Sequence, residues 1–78
     1  MKKIQILGSG CSKCVALTAN AEAAAKHMGV AYSIEKVTDI NEIVKAGVMI
    51  TPALLIDGKV VAMGKILSPD DIAKHLGT

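Results

Sequence analysis

The apolar run Lys2–Leu7 breaks at Gly8-Ser9-Gly10 and gives way at once to an Ala-rich stretch, Ser12–Met28, with Leu17, Ala21, Ala24 and Met28 at helical intervals. A strand that turns through glycine into a helix of about four to five turns, with a second strand after it, leaves few topologies open. The crossover returns the chain parallel to its start and in the right-handed sense. The only two cysteines, Cys11 and Cys14, stand at that junction. A disulfide closing so short a ring would contribute only about 2 kcal/mol in the chain-entropy picture, a weak staple. The pair therefore reads as a dithiol that cycles between oxidation states or as one that holds a metal.

The rest of the chain supplies a sheet for that unit. Ala31–Val37 alternates Tyr32, Ile34 and Lys36 against Ala31, Ser33, Glu35 and Val37, which predicts the second strand. Asp39, with Glu42 three residues on, opens a short second helix whose expected buried stripe is Ile40, Ile43, Val44 and Val48, with Gly47 near its end. Ala53–Ile56 and Lys59–Met63 flank Asp57-Gly58, a strong two-residue hairpin signal. Ser68-Pro69-Asp70-Asp71 caps a closing helix that buries Ile72, Ala73 and Leu76 and ends at Gly77. The expected architecture is α/β, in the order βαβ-α-ββ-α: one domain over residues 1–78, with a four-stranded mixed sheet and three helices on its two faces.

Composition sets the scale of such a domain. Of its 78 residues 51% are hydrophobic, and Tyr32 is the one aromatic. A chain this short buries only about 60 to 65% of its unfolded surface, and the core must come from Ile, Val, Leu, Met and Ala. Without stacking platforms, and with nine Lys dispersed along a chain of net charge +2, nucleic acid is not an expected partner. The basic opening Met1-Lys2-Lys3 is followed by Gln5 and then by glycines, too short an apolar stretch for a signal peptide or a membrane span. A cytoplasmic monomer is the expectation.

Cys11-Ser12-Lys13-Cys14 after a first strand, Thr51-Pro52 before a hairpin, and Met63-Gly64-Lys65 at the hairpin's tail together resemble the thioredoxin superfamily in its minimal, glutaredoxin-sized form. The run Lys3–Cys11 and the segment Ala46–Pro52 are similar to the small archaeal and bacterial thioredoxin-like proteins called redox-active disulfide protein 2. The resemblance spans essentially the whole chain. It implies Cys11 as nucleophile, Cys14 as resolving residue, a Cys11–Cys14 redox-active disulfide in place of a cofactor, and a cis-Pro at Thr51-Pro52 beside it. It also implies protein disulfides as substrates, a reductase or other electron donor as partner, and Thr51, Pro52, Ser12, Lys13 and Gly64 as the residues that meet the substrate.

The chemistry of the residues points the same way. Cys11 at a helix start faces unsatisfied N–H groups and the positive end of the helix dipole, which favour the attacking thiolate, and Lys13 adds a cation. Cys14, one turn in, is expected to be buried and to displace the product from a mixed disulfide. Ser12 favours the helix start, Gly8 and Gly10 let the backbone turn, and Met63 fills the rim of the core. His27 and His75 suit helix C-termini and receive no role.

The chain departs from ordinary thioredoxins in having Gly10 rather than Trp before Cys11, Ser12-Lys13 rather than Gly-Pro between the cysteines, and no acid in Lys2–Leu7. No acid follows Gly64 directly, so the glutathione-binding pattern of glutaredoxins is only partly present. The competing class is a soft-metal carrier for copper or mercury built on the same dithiol. It would lack the Met that precedes the motif in such carriers and would leave Thr51-Pro52 without a purpose. Structural zinc needs four ligands, and neither His is spaced to supply one.

Overall fold

The computed structural model describes residues 2–8 and 12–77. Its elements are β1 (Lys2–Leu7), α1 (Ser12–Met28), β2 (Tyr32–Val37), α2 (Ile40–Lys45), β3 (Ala53–Ile56), β4 (Lys59–Met63) and α3 (Pro69–Leu76). Among the described residues they form the expected α/β fold, a four-stranded mixed sheet in the order β2-β1-β3-β4 with three helices. β1 pairs parallel with β2, from Lys2 against Tyr32 to Leu7 against Val37. It pairs antiparallel with β3, from Ile4 against Ile56 to Leu7 against Ala53. The β3–β4 ladder carries an irregularity between Leu54 and Leu55, which places Leu55 opposite Val60 and Leu54 opposite Ala62.

Local chemistry accounts for the boundaries. The Asp39 side chain accepts from the Asn41 N–H at 2.8 Å and starts α2, while the Ser68 hydroxyl accepts from the Asp71 N–H at 3.2 Å and starts α3, with Pro69 in its first turn. Asp57 and Gly58, with φ of 52° and 83°, make the tight hairpin between β3 and β4. Ala31 lies just outside β2, where its carbonyl accepts from the Lys2 N–H and aligns the two parallel strands.

The sheet separates two cores by the period-two alternation of its strands. On one face Ile4, Ile6, Leu54, Ile56 and Ala62 meet Leu17, Ala21, Ala24 and Ala25 of α1 and Ile72 and Leu76 of α3. The small Ala side chains of α1 let helix and sheet approach closely. On the other face Leu7, Ala53 and Leu55 meet Ile43 and Val48, with Val37 packed against them. The expected stripe of α2 is corrected here: Ile43 is buried, but Ile40 is 72% and Val44 66% exposed. A helix of six residues makes fewer than two turns and can seat one side chain squarely on the sheet. Val48 is buried from the loop after it. Met28, at the end of the α1 stripe, is 40% exposed.

Candidate functional site

The C-terminal end of β1, the first turn of α1 and the loop before β3 meet at Gly8. A Cβ built on Gly8 would fall inside the van der Waals envelope of Cys14 Sγ, with Pro52 Cα and Thr51 Cβ each 3.7 Å away. Cys14, Thr51 and Pro52 are thereby brought to one spot. Gly8 donates to the Val37 carbonyl at 3.0 Å, which fixes it to the end of β2. Its φ lies outside the left-handed region, so what glycine supplies there is space and not a special backbone conformation. The nucleophile expected at Cys11 lies outside the described residues, as do Ser9 and Gly10.

Cys14 is 6% exposed. One turn further on, the buried Thr18 hydroxyl donates to the Cys14 carbonyl at 2.8 Å, tying down the start of the helix. Ser12 and Lys13 are exposed on that same first turn. The Thr51–Pro52 peptide bond is cis. The Pro52 carbonyl accepts from the Gly64 N–H at 2.8 Å, so Gly64 joins the loop through its backbone. Gly64 has φ of 70°, and a Cβ on it would press within 2.7 Å of Ile50 Cγ2. The positive φ favours glycine there, and a Cβ would also push the Ile50 side chain aside. Met63, just before it, is half exposed at the rim.

Two openings adjoin this cluster. A cavity of about 70 Å³ is shared by Ile6, Gly8, Cys14, Val15, Thr18 and Lys36. A larger groove of about 700 Å³ runs from Thr51 past Met49 and Val48 to Val44, Ile40 and Thr38. Its apolar walls include Met49, 92% exposed. Neither the seat at Gly8 nor this groove was foreseen in the sequence. The signal that was present, three apolar residues at Val48-Met49-Ile50 directly before Thr51-Pro52, reads equally well as core. Among the described residues no group of three or more His, Cys, Asp or Glu side chains is placed to hold a metal ion. No helix there is long and apolar enough to cross a membrane.

A parallel βαβ unit with a cysteine in the first turn of its helix, set against a Thr-Pro loop that leads into an antiparallel hairpin, defines a thioredoxin-like domain. The comparisons with known proteins agree. The family model described as "Thioredoxin domain" matches residues 2–77. A protein named thioredoxin from Methanothermobacter thermautotrophicus is 40% identical over 76 residues, covering 97% of this chain and 99% of its own. Another of that name from Methanocaldococcus jannaschii is also 40% identical over 76 residues, covering 97% of this chain and 87% of its own. The chain belongs to the thioredoxin family, and these relatives support a function of the thiol–disulfide oxidoreductase type.

Proposed function

We propose that this chain exchanges disulfides with protein partners through Cys11 and Cys14, needing no cofactor besides its own redox-active disulfide. The observation that carries the reading is the position of Cys14, buried in the first turn of α1 with its sulfur where a Cβ on Gly8 would fall, a point 3.7 Å from both Pro52 Cα and Thr51 Cβ. Cys11, three residues earlier in the chain, is the nucleophile: its thiolate attacks a partner disulfide and forms a mixed disulfide. Cys14 then attacks the Cys11 sulfur, the partner leaves as a thiolate, and the chain ends oxidised. Electrons return from a reductase or another donor. Thr51, Pro52 and Gly64 meet the substrate, as do the exposed Ser12 and Lys13. The apolar groove that begins at Thr51 suits a polypeptide partner better than a small, highly charged thiol. Action as a monomer in the cytoplasm completes the reading.

The test is mixed-disulfide trapping. Cys14→Ser should accumulate partners disulfide-linked to Cys11, whereas Cys11→Ser should accumulate none. Equal trapping by both variants, measured by non-reducing electrophoresis and mass spectrometry, would contradict the assigned roles.

A further inference from the structure

In this chain no carboxylate lies on β1, and the cavity behind Cys14 is walled by Ile6, Val15, Thr18, Lys36 and Thr38, without an acid. A steric feature of the surroundings of Cys14 stands out beside this. The sulfur occupies the volume in which any other residue at position 8 would carry its Cβ, and that volume faces Thr51 and Pro52. The sheet order gives the seat a direction. β3, which the Thr51–Pro52 loop enters, lies on one side of β1, and β2, which carries Lys36, lies on the other. The cavity opens toward β2, since Lys36 lines it and neither Thr51 nor Pro52 does.

We propose that Gly8 is a positioning residue for the resolving sulfur: its missing side chain leaves the space that Cys14 Sγ takes up, and the second step of the exchange depends on the sulfur keeping that place. The inference rests on the functional reading above. A methyl group at position 8 would expel the sulfur from this seat. The adjoining cavity, with room for about two atoms of that size or a pair of waters, offers an alternative staggered position toward β2. The chain can then fold with its sulfur misplaced. A displacement on the order of an ångström in a reacting group costs roughly tenfold to a hundredfold in rate.

The reduced full-length chain, mixed with excess dithiobis(nitrobenzoate), separates the two steps. In the first, the Cys11 thiolate attacks, one aryl thiolate leaves, and a Cys11–aryl mixed disulfide forms. In the second, the Cys14 thiolate attacks the Cys11 sulfur, the Cys11–aryl bond breaks, and its electron pair departs on a second aryl thiolate. The Cys11–Cys14 bond is formed, the two thiol protons go to buffer, and the chain has lost the two electrons the reagent gained. Gly8→Ala should leave the first release within about twofold of the parent and slow the second by about tenfold or more. An unchanged second phase, or equal slowing of both, would overturn the proposal.

A parent chain that releases a single aryl thiolate, or a Cys14→Ser variant that still releases two, would instead overturn the functional reading. Stability gives an independent readout should alanine impair folding. Gly8→Ala should lower the urea midpoint in the Cys14 chain and leave it nearly unchanged in a Cys14→Ala background. An equal loss in both backgrounds would show that the sulfur is not what position 8 accommodates.

Discussion

The two faces of the sheet are built to different depths. One is covered by α1 and α3 together, with twelve buried residues among those described. The other is covered at one end by the six residues of α2, with five. Where α2 does not reach, that second face carries Lys3, Gln5, Ser33 and Glu35, and the Gln5 amide donates to the Glu35 carboxylate across the strands at 3.0 Å. Beside α2, Ile40, Val44 and Met49 are left in solvent. The contrast separates two duties. The deep face supplies stability, and the shallow face leaves apolar surface next to the Thr51–Pro52 loop.

The largest test of this division is truncation at the centre of each core. Leu54, fully buried on the deep face, should lose about 3 to 5 kcal/mol on substitution by Ala, because the surrounding helices cannot collapse into the space. That is much of the stability expected for a small domain. Ile43→Ala on the shallow face should cost about 2 kcal/mol, the low end for such a truncation, since a short helix beside open solvent can settle inward. Urea unfolding of both variants measures the difference. Equal costs would mean that α2 is as firmly packed as α1 and that the contrast is only one of area.

A smaller effect on stability should come with a larger one on exchange. Ile40→Ser and Val44→Ser remove exposed apolar groups and should change stability by less than about 0.5 kcal/mol. Each should lower the rate of exchange with a protein disulfide by about fivefold, the equivalent of roughly 1 kcal/mol of lost apolar burial. The rate with dithiobis(nitrobenzoate), too small to span the groove, should be unchanged. A parallel fall with both substrates would place the cause in the dithiol and not in the groove.

These residues also mark where the sequence could be read and where it could not. The strands, the long helix, the Asp57-Gly58 turn and the caps at Asp39 and Ser68 are local, each set by a few neighbours in the chain, and they stand where the pattern puts them. Periodicity failed at α2, because an i, i+3, i+4 stripe sampled over fewer than two turns does not say which of its residues meets the sheet. Ile43 does, and its neighbours on the stripe do not. Gly8 was legible as a break in a strand pattern but not as a seat for sulfur. That role arises only when three segments distant in sequence converge, and it shares its local signature with an ordinary glycine turn.

The smallest expected effect lies where the shallow face has no helix at all and polar contacts must hold the strands. The Asp57 carboxylate accepts from the Lys3 N–H at 2.9 Å and meets the Lys2 ammonium at 3.4 Å, while the Asp57 N–H donates to the Lys3 carbonyl at 2.8 Å. The Lys3 N–H first, and the Lys2 side chain after it, hold the Asp57 carboxyl below its ordinary value. A group whose folded value is depressed contributes stability above its unfolded value and loses it as pH falls through the folded one. Wild type should therefore lose this contribution progressively below about pH 4. Asp57→Asn keeps an acceptor for the Lys3 N–H and tolerates the positive φ, but carries no charge. The variant should be slightly less stable than wild type at pH 6, and the gap should close as pH falls below about 4. Urea midpoints for the two chains across that range measure it. A gap that stayed constant with pH would mean that geometry alone clamps β1 to the hairpin, and that charge has no share in holding the uncovered end of this face.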